Sequence, residues 1–336
     1  MHVAVIGAGG WGTALGIAAA RAGRGVRLWS RNASVVEDIN ERRVNGAYLE
    51  GQALPAGVRA TSDAGEALGG AGLVILAAPS HATRAVLESL RGEFEPGAIL
   101  VSATKGVEVE TGRRMSEVVA EVLGPGAASR FVCLSGPSFA REVAADQPTA
   151  VVAASGDEAL GREVQRALSA GNFRVYTNPD VVGTELGGAS KNVMALAAGM
   201  VTGLSLGTNS VAALVTRGLA EMTRLALAEG GRLETLTGLA GLGDLVLTCT
   251  GGLSRNRRVG EELGRGRALA DVLAGMREVA EGVRTTRAIR LLAARRGVEM
   301  PITEEVHAVL YENKPARAAV ESLMARPLKE EADGRR

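Results

Sequence analysis

Lys191 is the only charged residue between Leu186 and Thr216, in a segment that is otherwise apolar or small. Burying an ammonium in such a segment is costly, and it lowers the lysine pKa towards the range in which protons move at neutral pH. The chain has only four lysines, whereas arginine is abundant, so a lysine here suggests a need for lysine chemistry. Lys191 is therefore a candidate proton donor or acceptor. The alternative is a lysine that extends its ammonium to water along its own stem.

Further polar residues follow in an unusual segment, LAGLGDLVLTCTGGLSRNRR. Asp244 lies in its apolar part, and an isolated buried carboxylate must find a partner, for which Lys191 is the obvious candidate. Ser254–Asn256 then begin a predicted helix that runs to about Gly264. A serine N-cap followed by arginine and asparagine offers N–H groups, side-chain donors and positive charge to an anion. A plain helix cap is the alternative.

A glycine turn stands at the start of the chain. Gly7, Gly9 and Gly12 have G-x-G-x-x-G spacing, directly after a predicted strand and before a predicted helix. Gly7 permits the tight turn, Gly9 lets the backbone approach a pyrophosphate, and Gly12 allows close packing of strand and helix. Because the motif has the correct strand–turn–helix context, it predicts dinucleotide binding at the helix N-terminus.

The end of the second predicted strand bears on the choice of coenzyme. An acidic residue about 20 residues after the glycine turn would bind the ribose 2′-hydroxyl of NAD. Here the strand ends in Trp29–Asn32, and no carboxylate occurs until Glu37. An arginine can pair with a 2′-phosphate and stack on adenine, so Arg31 favours NADP(H). A surface arginine, with NAD(H) still accepted, is the alternative.

The elements that must position these residues follow from hydrophobic patterning. Apolar runs predict strands at Val3–Gly7, Val26–Ser30, Leu73–Ser80, Ala98–Gly106, Phe131–Ser138, Thr149–Ser155 and Phe173–Thr177. Amphipathic patterns predict helices at Thr13–Ala22, Ala82–Leu90, Arg113–Leu123 and Glu158–Ala170. Continuous apolar strands that alternate with helices indicate a parallel sheet covered on both faces.

The pattern changes after Pro179, where the remaining segments are helical and no convincing strand occurs. We therefore predict an α/β, Rossmann-like N-terminal domain with a mostly parallel sheet over residues 1–180. An all-α C-terminal domain over residues 181–328 would follow it, with a charged tail over residues 329–336.

Ligands of an open parallel sheet bind outside the carboxyl ends of its strands. Three such ends are polar here, at Pro79–His81, Thr104–Gly106 and Gly136–Ser138. Lys105, the second of the four lysines, stands at one of them, and a structural lysine that closes a loop is the alternative. We expect His81 to be a loop residue and not a catalyst.

Composition excludes several classes of function. The formal net charge is +1 and hydrophobic residues make up 46%, so nothing indicates a nucleic-acid partner or an acidic membrane surface. The two cysteines are too few for a disulfide framework, and no Cys/His spacing resembles a metal site. The first strand begins almost at Met1, leaving no room for a signal peptide. Glycines interrupt the apolar run after Lys191, which predicts buried helices without membrane insertion. We expect a cytoplasmic protein.

Five segments together resemble a known family. GAGGWGTAL, SATKG, LSGPSFAREV, ELGGASKNVMALAAG and GLAGLGDLVLTCTGGLSRNR occur in this order between Val3 and about Asn313. They are similar to segments of the bacterial NAD(P)-dependent sn-glycerol-3-phosphate dehydrogenases. The resemblance implies reversible reduction of dihydroxyacetone phosphate, a small phosphorylated substrate, with NADP(H) or NAD(H). It also implies supply of glycerophospholipid synthesis and a homodimer.

The resemblance assigns roles to individual residues. It makes Lys191 the catalytic acid and base, with Asn192 and Thr248 in supporting positions. The residues implied to bind substrate are Lys105, Gly136, Ser138, Lys191, Asp244, Ser254, Arg255 and Asn256. The glycine turn and the resemblance together assign the coenzyme to Gly7, Gly9, Gly10, Trp11, Gly12, Arg31, Lys105, Ala140, Arg255, Val279 and Glu281.

Two other hypotheses remain open from the sequence. One is a different dehydrogenase of the same architecture, of the 3-hydroxyacyl-CoA or 6-phosphogluconate type. It would have no equal need of Ser254–Asn256 beside Lys191. The other is an NADP-binding sensor or scaffold without catalysis, in which Lys191 is structural and Lys105 has no explanation.

Overall fold

The computed structural model describes residues 2–276, 280–328 and 330–331. The strands are β1 (His2–Ile6), β2 (Gly25–Trp29), β3 (Val44–Asn45), β4 (Leu49–Ala53), β5 (Val58–Thr61), β6 (Ala71–Leu76), β7 (Ile99–Ser102), β8 (Phe131–Ser135), β9 (Thr149–Ala154) and β10 (Phe173–Asn178). The helices among the strands are α1 (Gly10–Arg21), α2 (Ala33–Glu37), α3 (Ala64–Leu68), α4 (Ser80–Ser89), α5 (Met115–Leu123), α6 (Pro125–Ala128), α7 (Ala140–Ala144) and α8 (Glu158–Leu168).

The helices after the last strand are α9 (Val181–Gly203), α10 (Thr208–Ala228), α11 (Leu233–Leu236), α12 (Asp244–Thr250), α13 (Arg255–Gly264), α14 (Leu269–Ala274), α15 (Glu281–Arg296), α16 (Pro301–Tyr311) and α17 (Ala316–Met324). Two π-helical turns occur at Asp38–Arg42 and Leu239–Gly243, and a short 3-10 turn at Arg91–Glu93.

Eight of the strands form one sheet in the order β10-β9-β8-β7-β6-β1-β2-β5. Neighbouring strands are parallel, except that β8 and β9 are antiparallel. The chain runs from β1 to β2 on one side and later returns to β6 on the other side. The order therefore reverses at β1, and ligands of such sheets bind beyond the carboxyl ends of the strands at this position. The predicted mostly parallel α/β sheet is confirmed.

Alternation along β1 explains why its sequence is apolar throughout. Val3 and Val5 are buried in one cluster with α1 and α8, whereas Ala4 and Ile6 are buried in another with α4 and α5. A strand covered on both faces offers no position to a polar side chain.

Several sequence-based predictions of secondary structure are wrong. Strand β5 and the antiparallel hairpin of β3 and β4 were not predicted, because these strands are short and partly polar. The strands predicted to end at Ser80, Gly106 and Ser138 are shorter, since β6 ends at Leu76, β7 at Ser102 and β8 at Ser135, and Ser80 begins α4. His81 is consequently a helical residue, not a loop residue.

The helical part is organised around α9, which is 23 residues long and buried along nearly its whole length. A Cβ on Gly260 would lie 1.9 Å from the Leu196 carbonyl oxygen, and one on Gly199 would lie 2.0 Å from that of Arg257. Only glycine lets α9 and α13 approach with their backbones in contact. Among the described residues that follow Asn178 there is no strand, so the predicted all-α C-terminal part is confirmed.

In the part of the chain that the structure describes, no single helix is long and apolar enough to cross a bilayer. One helix pair bent by 49°, residues 233–250 with 255–264, meets the criterion by length and composition only. The same described residues contain no group of three or more His, Cys, Asp or Glu arranged to hold a metal ion.

Candidate active site

Three charged side chains meet between the sheet and α9. The Nζ atom of Lys191 lies 2.5 Å from Oδ1 of Asp244, and Nζ of Lys105 lies 2.8 Å from Oδ2 of the same carboxylate. Lys191 is 6% exposed and Asp244 is fully buried. The expected pairing of Lys191 with Asp244 is confirmed, and its ammonium does not extend to water. The second lysine on the same carboxylate was not expected.

Thr248 fixes the direction of the Lys191 ammonium. Asp244 is the first residue of α12, and Thr248 follows one turn later on the same helix. Lys191 Nζ donates to Thr248 Oγ1 at 2.9 Å, while that hydroxyl donates to the Asp244 carbonyl oxygen at 2.6 Å. Because the hydroxyl proton is already used, Thr248 presents a lone pair to the lysine. Two of the three ammonium protons are thus held, and one remains for another acceptor.

Lys105 follows β7 and is held by the loop after β8. Its Nζ donates to the Gly136 carbonyl oxygen at 2.8 Å and to Ser138 Oγ at 3.2 Å. Gly136 has φ +130°, and a Cβ there would lie 3.0 Å from the Cα of Val151. Glycine is therefore required for this carbonyl to face the lysine. The structure brings Lys105, Gly136 and Ser138 together with the Lys191 pair.

Burial and charge act in opposite directions on Lys191. Burial lowers its pKa to about 8, because the favourable charge of Asp244 offsets only part of the desolvation, and nearby Lys105 lowers it further. For Asp244, burial raises the pKa, but Lys105 and Lys191 outweigh it and the pKa is lowered overall. The carboxylate is consequently ionised between two lysines, and the Lys191 proton is exchangeable near neutral pH.

The expected anion site lies at the start of α13. Ser254 is its N-cap, and Ser254 Oγ accepts from the Arg257 N–H at 3.2 Å, as the sequence predicted. α13 ends at Gly264, also as predicted. Arg255 is the exposed first residue of this helix. The side chain of Asn256 is buried and hydrogen-bonded to Asn192.

The glycine turn has the geometry that its motif predicts. Gly7 has φ +110°, and a Cβ on Gly12 would lie 1.9 Å from the Gly7 carbonyl oxygen. A Cβ on Gly9 would meet nothing within 4 Å, and no side chain caps the start of α1. Open space beside uncapped helical N–H groups fits a pyrophosphate. Gly10 is packed more tightly, since its Cβ would lie 2.9 Å from the carbonyl oxygen of Tyr48 in the unpredicted hairpin.

Trp11 links the glycine turn to the charged cluster. Its Nε1 donates to the carbonyl oxygen of Ala103 at 3.2 Å, and its ring centroid lies 5.8 Å from Lys105 Nζ. Ala140 begins α7, and its Cβ is 3.9 Å from the position that a Cβ on Gly10 would take. The loop after β7 therefore carries Lys105 and also accepts, through Ala103, a hydrogen bond from Trp11 of the glycine turn.

The other residues assigned to the coenzyme lie further out. Arg31 is exposed after β2, next to the N-cap of α2. Glu281 is the first residue of α15, and its carboxylate accepts a hydrogen bond from the Ser80 N–H at 3.3 Å. Burial raises its pKa, against the opposing influence of that N–H and of Arg255. Val279 lies outside the described residues.

The buried carboxylate of Glu185, which links α9 to α5, was not identified from the sequence. Glu185 accepts from Arg114 Nη1 at 2.9 Å and from both N–H and Oγ of Ser116 at 2.7 Å. These bonds tie the start of α5, in the sheet part, to the helix that carries Lys191. A lone acidic residue beside an apolar helical run was the available signal, the same signal that identified Asp244.

Comparisons with known proteins agree over nearly the whole chain. Models described as NAD-dependent glycerol-3-phosphate dehydrogenase N-terminus and C-terminus match residues 2–161 and 180–321. A protein named glycerol-3-phosphate dehydrogenase [NAD(P)+] from Koribacter versatilis is 56% identical over 97% of both chains. One of the same name from Geobacter sulfurreducens is 55% identical over 98% of both. The crystal structure of glycerol-3-phosphate dehydrogenase from Coxiella burnetii is 41% identical, with a TM-score of 0.92, covering 96% of this chain and 98% of that one.

Proposed function

Because the chain belongs to the NAD-dependent glycerol-3-phosphate dehydrogenase family, we propose that it reversibly reduces dihydroxyacetone phosphate to sn-glycerol 3-phosphate. The observation that carries the chemistry is the buried contact of Lys191 with Asp244 at 2.5 Å, beside Lys105. NADPH and NADH are the coenzymes of this reaction. When bound, the nicotinamide supplies the hydride that reduces the ketone.

Lys191 is the proton donor in this proposal. As the ketone is reduced, negative charge grows on its oxygen, and an ammonium there stabilises that charge before it gives up a proton. Lys191 has one N–H beyond those that Asp244 and Thr248 engage, and burial brings its pKa to about 8. Asp244 keeps the ammonium charged and oriented. In the reverse direction the neutral amine accepts the hydroxyl proton of glycerol 3-phosphate.

The remaining residues hold the two ligands. We assign substrate binding to Lys105, Gly136, Ser138, Lys191, Asp244, Ser254, Arg255 and Asn256. Arg255 and the helix N-terminus at Ser254 suit a phosphate, which fixes the ketone relative to Lys191. We assign the coenzyme to the glycine turn (Gly7, Gly9, Gly10 and Gly12) with Trp11, Arg31, Lys105, Ala140, Arg255 and Glu281. Val279 keeps this assignment from the resemblance alone.

Several finer statements belong to the same proposal. NADP(H) is preferred because the exposed Arg31 can pair with a 2′-phosphate. The domains divide at residues 180 and 181, between the end of β10 and the start of α9. The enzyme acts as a cytoplasmic homodimer, and its product supplies glycerophospholipid synthesis. Membership of the family is the only support for the location, the dimer and the use of the product.

The decisive experiment follows NADPH oxidation with dihydroxyacetone phosphate for the native protein and for Lys191→Ala. We expect turnover by the native protein and a loss of roughly 10³-fold or more in kcat for the variant, with NADPH binding kept. Lys314→Ala is the matched control, because this lysine pairs with Glu305 of α16 and is assigned to neither ligand. Faster reduction of NADP+ by a 3-hydroxyacyl-CoA or by 6-phosphogluconate than by glycerol 3-phosphate would instead support the alternative dehydrogenases. Normal turnover by Lys191→Ala would refute the mechanism.

A further inference from the structure

The Asp244 carboxylate is shared by two ammonium groups. Lys191 Nζ lies 2.5 Å from Oδ1, and Lys105 Nζ lies 2.8 Å from Oδ2. All three side chains are withdrawn from solvent, with exposed fractions of 8% for Lys191, 13% for Lys105 and 1% for Asp244. One lysine would already balance the charge of this carboxylate. The second lysine leaves the cluster with a positive charge in excess, which is costly to bury.

Lys105 is held in place through its whole ammonium group. Its three N–H groups have three acceptors, namely the Gly136 carbonyl oxygen, Ser138 Oγ and Asp244 Oδ2. The Ser138 hydroxyl donates its own proton to the Gly136 carbonyl oxygen at 2.8 Å, so it presents a lone pair to Lys105. Acceptors for all three protons favour the ammonium over the neutral amine. Lys191 differs, because only two of its N–H groups are engaged.

The proton transfer of the proposed reaction changes the charge of this cluster. The Nζ–H bond of Lys191 breaks, an O–H bond forms on the oxygen of the reduced ketone, and the electron pair of the broken bond remains on Nζ. With Lys191 as its only partner, Asp244 would then be a buried carboxylate without a counter-ion, and this uncompensated charge would oppose the transfer. With Lys105 on its second oxygen, Asp244 is paired before and after the proton has moved.

We propose that Lys105 is the counter-ion that keeps Asp244 paired while Lys191 is without its proton. Lys105 thereby makes the proton of Lys191 easier to release, and it is a positioning residue in addition to its assigned ligand contacts. The electrostatic effects agree in direction, because Lys105 lowers the pKa of Lys191 whereas Asp244 raises it. This inference rests on the proposed function.

Other charged and titratable groups surround the two lysines. They are Arg114, Cys133, Glu185, Cys249, Arg255, Arg257 and Glu281. Burial raises the pKa of both thiols, so the two cysteines remain neutral. All of these groups are unchanged when only position 105 is substituted. A difference between two variants at that position therefore reports the charge of the side chain there.

The test compares the pH profiles of kcat, with saturating ligands, for Lys105→Met and Lys105→Arg. Methionine has a similar length but no charge, whereas arginine keeps the charge. The midpoint is expected near pH 8 in the native protein. For Lys105→Met we expect it to rise by about one pH unit or more in both directions of the reaction. As a fraction of its high-pH plateau, oxidation of glycerol 3-phosphate at pH 8 should then fall about 5-fold. Lys105→Arg should keep the native midpoint.

A second measurement does not depend on turnover. Competitive labelling with acetic anhydride, applied to the protein without ligands and read by mass spectrometry, reports the pH at which each lysine becomes a free amine. Lys191 should become reactive at a higher pH in Lys105→Met than in the native protein. Lys314, which pairs with Glu305 of α16, is the internal reference in each sample. Where Lys105→Met does not fold, Lys105→Gln takes its place.

An unmoved midpoint in the folded neutral variant, with only kcat or KM changed, would overturn the inference and leave Lys105 as a ligand contact alone. An equal shift in Lys105→Arg would also overturn it, because the charge would then be irrelevant. Failure of the proposed function is distinguishable from both results. It would be seen as native protein that binds NADPH but does not oxidise it with dihydroxyacetone phosphate, while the labelling of Lys191 still compares the variants.

Discussion

Gly260 and Leu196 are in backbone contact, and a Cβ on Gly260 would lie 1.9 Å from the Leu196 carbonyl oxygen. Leu196 is on α9, five residues after Lys191, and Gly260 is on α13, six residues after Ser254. The same type of contact recurs at Gly264, whose Cβ would lie 2.4 Å from the Met200 carbonyl oxygen. Small residues therefore bring the proposed phosphate site and the buried lysine to adjacent positions on two touching helices.

Gly260→Ala tests this arrangement. The added methyl cannot share space with a backbone oxygen, so α13 must move, and we expect a loss of about 1–3 kcal/mol in the free energy of unfolding. The KM for dihydroxyacetone phosphate should rise more than the KM for NADPH. Thermal unfolding and steady-state kinetics measure both effects. Gly207→Ala is the control, since a Cβ there meets nothing within 4 Å. Equal effects of the two variants would show that the helix contact is not needed.

The pH dependence of the two directions should be opposite. Because the pKa of Lys191 is lowered to about 8, its ammonium predominates below that pH and its neutral amine above it. Reduction of dihydroxyacetone phosphate requires the ammonium and should fall as pH rises through about 8. Oxidation of glycerol 3-phosphate requires the amine and should rise over the same range. Profiles of kcat against pH in each direction would show this, and parallel profiles would exclude Lys191 as the group that titrates.

Asp244→Asn should move those profiles. The amide retains the shape of the side chain but not the charge that holds the Lys191 pKa up against burial. The pKa of Lys191 should fall further, so the reduction profile shifts to lower pH and kcat at neutral pH drops by roughly 10-fold or more. Asp271→Asn, at an exposed position on α14, is the control. An unshifted profile would mean that Asp244 does not set the charge of Lys191.

Arg31 provides a test of coenzyme choice. Its exposed guanidinium can pair with the 2′-phosphate of NADPH, whereas an aspartate there would repel that phosphate and accept from the 2′-hydroxyl of NADH. We expect Arg31→Asp to lower kcat/KM for NADPH by about 10-fold or more and to raise or preserve that for NADH. Turnover with each coenzyme measures the preference. An unchanged ratio would remove Arg31 from the coenzyme site.

Glu221 should make stability depend on pH. Burial raises its pKa to about 7, although the N–H groups of Ile302 and Thr303 oppose the rise. A group whose pKa is raised on folding contributes stability below its ordinary value of about 4.5 and loses that contribution as pH rises through about 7. Glutamine does not ionise, so Glu221→Gln should remove up to about 3 kcal/mol of the pH-dependent change in the free energy of unfolding.

Urea unfolding at pH 5 and pH 8 would measure the difference between Glu221→Gln and the native protein. The variant should gain relative stability at the higher pH, whereas Glu304→Gln, at an exposed position on α16, should not. A constant difference at both pH values would contradict the expectation.

Local patterns predicted most of the elements and several candidate site residues. The glycine turn predicted a helix soon after β1, because the spacing of its glycines is a property of a few consecutive residues, although α1 begins at Gly10 and not at Thr13. The serine N-cap of α13 was predicted for the same reason. Lys191 and Asp244 were found because a charge in an apolar segment must be buried, and a buried charge needs a partner.

Tertiary structure decided what no local pattern could contain. The contact of Lys105 with Asp244 joins residues 139 positions apart, and it depends on which strand ends face α12. The hydrogen bonds from Asn256 to Asn192 and from the Gly282 N–H to Asn256 likewise depend on the packing of α9, α13 and α15, and the sequence pattern of these helices does not predict them. The hairpin of β3 and β4 was missed because its short, polar strands have weak intrinsic preference and are held by packing against the glycine turn. Sequence therefore indicated which groups could carry the chemistry, and only the fold determined which of them are in contact, because these contacts depend on long-range packing.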